Sequence, residues 1–143
     1  MPAASTVRPR LHAGFLELRY RADLHLLVAR WQRAVSAAEL RQGYRAMLAL
    51  AQEVGCPYWQ VDLRSRNAPD EATRRWLTTE FLPQLPGQLA CPVCLGCLLT
   101  PALLHQLGGP TCQAVQTAFF SEEGPLTVWL MQQQHEMSTR STA

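Results

Sequence analysis

Three of the five cysteines stand in the run Cys91-Pro92-Val93-Cys94-Leu95-Gly96-Cys97, with two residues between successive thiols. That spacing imitates the ligand runs of iron–sulfur proteins, in which an irregular loop wraps thiolates around one point. Here the surrounding segment Leu89 to Leu99 is apolar on both parities, which predicts an interior strand. Side chains alternate along a strand, so Cys91 and Cys97 face one way and Cys94 the other. Cys56 and Cys112 are too dispersed to complete a site by spacing. The expectation is no metal and no cofactor, with the thiols packing as small hydrophobes.

Nucleophilic catalysis needs a base within hydrogen-bond reach of the thiol. His105, on a short helix after the cysteine run, is the candidate base for Cys97 or Cys112, and nothing nearby suggests an oxyanion hole. His12, His25 and His135 show no metal-ligand spacing. Gly108-Gly109-Pro110 reads as a helix stop, since no Lys-bearing phosphate loop follows it. Asp62, Glu71 and Glu80 are conceivable acid–base carboxylates, but acids near a helix start are explained by the helix dipole. Trp59, Trp76 and Trp129 fall at core-facing positions. These readings predict a chain without catalytic residues.

One segment offers binding chemistry. Arg64-Ser65-Arg66-Asn67 follows the strand ending Val61-Asp62-Leu63 and precedes a helix start near Pro69. In open α/β sheets, ligands bind where strand ends meet helix N-termini. Arg64 and Arg66 share the parity of Asp62, so an extended loop would project all three to one side. Two planar forks there suit a phosphate, a carboxylate or an acidic partner. The candidate binding residues are Asp62, Arg64, Ser65, Arg66 and Asn67.

The elements that would position this loop follow from periodicity. Leu16, Leu18 and Tyr20 alternate with Glu17, Arg19 and Arg21, as on a half-buried strand. Leu24 to Trp31 is apolar apart from His25 and Arg30, giving a second strand and an antiparallel hairpin. Ser36 with Glu39 forms a capping box, and Leu40, Tyr44, Met47, Leu48, Ala51 and Val54 make a helical stripe stopped by Gly55 and Pro57. Tyr58 to Leu63 is a strand. Asn67 or Asp70 caps a helix directing Trp76, Leu77 and Phe81 inward, with Pro83 and Pro86-Gly87 ending it. After the cysteine strand, Thr100-Pro101 opens a short helix. Gln113 to Phe120 is a last strand, and Ser121-Glu122-Glu123 opens a helix carrying Leu126, Trp129 and Leu130. The fold class is α/β, a mixed sheet of about five strands flanked by about four helices. Residues 1–10 and 135–143, rich in Ser, Thr, Pro and Arg, are expected as disordered tails around a single domain of residues 11–134.

Several of these residues carry a resemblance. Tyr58-Trp59-Gln60-Val61-Asp62-Leu63-Arg64, Arg75-Trp76-Leu77, Glu80-Phe81-Leu82-Pro83, and Phe120-Ser121-Glu122-Glu123 with Trp129-Leu130 resemble the bacterial STAS-like proteins, on the fold of the anti-sigma-factor antagonists, over roughly residues 15 to 131. The resemblance implies a non-enzymatic regulatory or protein-interaction module. The phosphorylated Ser of that family's switch has no counterpart, because the helix opens with Ala68-Pro69-Asp70-Glu71. A second reading is a domain binding a small anionic or lipid-like ligand at the Arg64 loop.

Composition narrows the partners. The chain of 143 residues has a net charge of +2, too small to argue for nucleic acid or an anionic membrane. All basic residues are Arg, none Lys. No apolar run approaches the ~20 residues that span a bilayer, and the N-terminus lacks the apolar stretch of a signal peptide. An odd number of cysteines fits reduced thiols, so a cytoplasmic protein is expected, with another regulatory protein as the partner and a homodimer compatible.

Overall fold

The computed structural model describes residues 6–107 and 114–141. Its sheet has six strands in chain order: β1 (Thr6–His12), β2 (Leu16–Arg21), β3 (Leu26–Trp31), β4 (Tyr58–Asp62), β5 (Cys94–Leu98) and β6 (Gln116–Phe120). β1 to β3 pair antiparallel, and β3 to β6 pair parallel. This is the expected mixed α/β sheet with one strand added at its edge. β1 lies largely in the segment read as a tail: its main chain pairs with β2 despite Pro9, with the register shifting between Val7 and Arg10. An edge strand with a bulge tolerates proline's missing donor. At the other end the last helix, α5, runs Glu123–Ser141, into the segment read as a C-terminal tail.

α1 (Ala37–Val54) begins and ends where its signals stand. Ser36 accepts from the Glu39 N–H while Glu39 bonds back to the Ser36 N–H, and Gly55 takes a left-handed φ of 66°. Its buried residues are Leu40, Gly43, Tyr44, Met47, Leu50 and Ala51. Leu48 and Val54, placed on the stripe by periodicity, are only half-buried. Gly43 shifts the contact face, because a Cβ there would collide with the Trp31 ring.

The two prolines do not end the next helix. α2 (Glu71–Trp76), capped by Asp70, passes into a π-turn (Leu77–Phe81) and then α3 (Leu82–Leu89). In the π-turn the Leu82 N–H bonds to the Leu77 carbonyl, five residues back. The widened turn carries the helix on into α3, with Pro83 in its first turn and Pro86 inside it. The helix therefore occupies the start of the segment read as strand, and Ala90, at φ 57°, closes it. β5 begins only at Cys94, so Cys91 lies outside it. α4 (Pro101–Leu107) starts as expected, with Thr100 Oγ1 accepting from the Leu103 N–H. Its Gly108-Gly109-Pro110 stop, and Cys112, lie outside the described residues.

Cross-strand partners share a face. One face carries Leu16, Ala29, Trp31, Val61 and Cys97, and α1 packs on it through Tyr44, 5.5 Å from the Trp31 ring. The opposite face is covered by α5 over β4 and β5, where Gly96 lets Leu126 and Leu130 approach the sheet. Trp59 is fully buried and Trp76 nearly so, whereas Trp129 is half-buried.

Candidate functional site

On α5's side of the sheet, where α5 packs over β4, β5 and β6, no described helix packs broadly over β2 and β3. Strand alternation places Glu17, Arg19 and Arg21 of β2 there, opposite Arg30, Val28 and Leu26 of β3. α5 runs along the far side of β3. Its first turn reaches Arg30 through Glu123 at 3.8 Å, and Gln134 donates to the carbonyls of Leu24 and His25 at 2.9 and 3.2 Å. The result is a trench along β3, walled by β2 side chains and by Glu123 and Thr127, floored by Leu24, Leu26 and Val28, and enclosing about 120 Å3.

A network of ion pairs closes the carboxyl end of the trench. Asp62, the last residue of β4, is buried and accepts from Arg64 Nε at 3.0 Å, Nη2 at 2.8 Å and the Arg64 backbone N–H at 3.0 Å. Burial pushes the Asp62 carboxyl up, but the Arg64 bonds and charge outweigh it, aided by Arg30, and leave it below the ordinary value. Arg30 is shared among Asp62 at 3.5 Å, Glu123 at 3.8 Å and Glu17 at 3.9 Å. Gln60 donates to Glu123 at 3.1 Å. Further along, Arg21 pairs with Asp23 at 2.7 Å, while Arg19 is exposed and pairs with no described side chain.

The five expected binding residues therefore separate. Asp62 and Arg64 belong to this network, and Ser65 is exposed beside it. Arg66 does not project with them: its N–H closes a turn on the Leu63 carbonyl at 3.1 Å, which cancels the parity of an extended loop. The Arg66 side chain is instead buried under α1. Its Nη1 donates to the Tyr44 hydroxyl at 3.1 Å, and its guanidinium lies 4.9 Å from the Trp31 ring centre and 5.6 Å from that of Tyr44. No described carboxylate pairs with it, and aromatic faces balance the charge. Arg66 Nε and Trp31 Nε1 are both buried and have no hydrogen-bond acceptor. Asn67 accepts from the Val35 N–H at 2.9 Å and donates to the Val35 carbonyl at 3.3 Å, tying the loop to the start of α1. Arg66 and Asn67 thus engage α1 and its start instead of the network at Asp62.

Sequence reasoning missed Glu17, Arg30, Gln60 and Glu123 as members of one cluster. The available signal was Arg30, a charge inside an otherwise apolar strand.

The cysteines offer no activated nucleophile among the described residues. Burial pushes the Cys97 thiol up to about 12 and those of Cys94 and Cys56 up to about 11. Cys94 and Cys97 take opposite parities of β5 as expected, and Cys91 lies in the preceding bend with its thiol toward the Leu89 carbonyl at 3.2 Å. His105 is exposed on α4, whereas Cys97 is buried in the field of Arg66. Glu71 and Glu80 are exposed on the helical segment away from the trench. No grouping of His, Cys, Asp and Glu among the described residues has the geometry to hold a metal ion, and no described helix is long and apolar enough to cross a membrane.

No protein-family model, curated protein or solved structure matches this chain.

Proposed function

We propose that the chain is a non-catalytic regulatory or protein-interaction module of the cytoplasm, as its resemblance to the STAS-like proteins implies. The observation that supports this reading best is the trench. It lies on the half of a sheet face that no described helix covers, and charged side chains rim its apolar floor. Its volume of about 120 Å3 is below the ~300 Å3 at which pockets for organic ligands begin, which favours a protein surface over a carrier site. The outer side of α5 continues the surface: Thr127 lines both the trench and a shallow depression with Val128 and Met131, and Val128 is 56% exposed. The raised thiols weigh against cysteine catalysis.

The test places a photoreactive amino acid at Thr127 in producing cells. A discrete adduct with one polypeptide, lost when Arg30→Glu reverses the charge at the trench end, is the expected result. Absence of any adduct, or an adduct indifferent to Arg30→Glu, removes the interaction reading.

A further inference from the structure

We propose that the trench recognises an acidic segment of a partner protein, one in which a carboxylate stands beside an apolar side chain. This rests on the interaction-module reading and specifies its partner. The charges along β2 and β3 are not uniform. At the carboxyl end of β3, Arg30 is already shared by Glu17, Asp62 and Glu123, and Arg64 holds Asp62. In the middle, Arg19 stands opposite Val28 and pairs with no described side chain, while Arg21 beyond it is neutralised by Asp23. Arg19 is thus the one guanidinium lining the trench without a described counter-charge, and it borders the apolar floor of Leu24, Leu26 and Val28. A planar five-donor fork of this kind suits a carboxylate bound on two hydrogen bonds. Charge complementarity therefore selects a partner segment with Asp or Glu over Arg19 and an apolar residue over Val28.

The test uses fluorescein-labelled short peptides alternating Glu with Leu, and Lys with Leu, titrated with the full chain and followed by anisotropy at low and physiological ionic strength. The Glu/Leu peptide is expected to bind, to weaken with salt, and to bind Arg19→Glu about ten-fold more weakly, with Arg19→Lys intermediate. Arg19 is exposed, so these variants retain the fold, checked by circular dichroism. Equal binding of the Lys/Leu peptide, or equal affinity of Arg19→Glu for the Glu/Leu peptide, overturns the proposal. If neither peptide binds while the Thr127 adduct still forms, the acidic-segment proposal fails and the interaction reading survives. If the adduct is a second copy of this chain, the partner assignment fails.

Discussion

Arg64 holds Asp62 by two side-chain bonds and one backbone bond, closing a ring at the carboxyl end of β4 with the neighbouring residue Leu63 as its spacer. Two residues further on, Arg66 points to the other side of the sheet and stacks on Trp31. The two arginines of one short loop thus serve different surfaces, and they have different consequences when removed.

Asp62 has a lowered folded-state pKa, so its contribution to stability is present above the ordinary carboxylate value of 3.8 and is lost as pH falls through that value toward the folded one. Urea unfolding of Asp62→Asn should show a shallower loss of stability below pH about 5 than the native chain, the window in which linked carboxylates are protonated. Identical pH profiles would mean that Asp62 is not held as described.

Arg66→Ala leaves the Tyr44 hydroxyl and the stacked rings without their partner and should cost about 2–4 kcal/mol in chemical denaturation, as a large buried truncation does. Arg66→Met, which fills the space without a charge, should cost roughly 1 kcal/mol or less, because a buried ion is often replaceable by an apolar side chain of similar volume. A larger loss for Met than for Ala would contradict the packing role.

Within α1, Met47→Ala and Leu50→Ala should each cost roughly 2–5 kcal/mol, and Leu48→Ala about 1 kcal/mol, because Met47 and Leu50 are sealed in the core and Leu48 is half-buried. Gly43→Ala should be destabilising by about 1–3 kcal/mol despite alanine's better helix propensity, since the added methyl meets Trp31. A gain in stability at Gly43→Ala would place Trp31 elsewhere.

The four described thiols should differ in reactivity. Cys91 is only partly buried, whereas Cys56, Cys94 and Cys97 are buried, with thiols raised to about 11, 11 and 12. Iodoacetamide at pH 8 followed by peptide mass mapping should label Cys91 well before those three. Equal labelling of Cys97 in the folded chain would contradict its burial.

His25 accepts or donates a hydrogen bond at 2.8 Å with the Tyr20 hydroxyl and packs edge-on to Tyr58. Burial lowers its pKa below 6.5, so the unfolded chain binds the proton more readily, and stability falls as pH drops below 6.5 toward the folded value. His25 sits at a φ of 53°, a conformation asparagine tolerates. Stability of His25→Asn between pH 7 and pH 5 should therefore vary less than that of the native chain. An unchanged slope would mean that other groups set the dependence.

Local signals alone determined much of this protein. The Ser36–Glu39 box and Gly55 set both ends of α1, because a cap needs only residues within one turn of it. Alternation in Leu16 to Arg21 placed Glu17, Arg19 and Arg21 on the polar side of β2 for the same reason. Signals that depend on distant partners were misread. Pro83 and Pro86 look like helix stops, yet the helix runs through both by way of a π-turn, and Leu89 looks like strand because a buried helix and a buried strand are equally apolar over a short run. Thr6–His12 has tail composition, and only pairing with β2 makes it a strand. The separation of Arg64 from Arg66 depends on one turn bond to Leu63 and on Trp31 and Tyr44, which come from β3 and α1. The trench depends on α5 lying beside β3, which joins Glu123 to Arg30 and Gln60 across the chain. Contacts between residues so far apart in sequence are set by how the layers pack, and no window of the chain contains both partners.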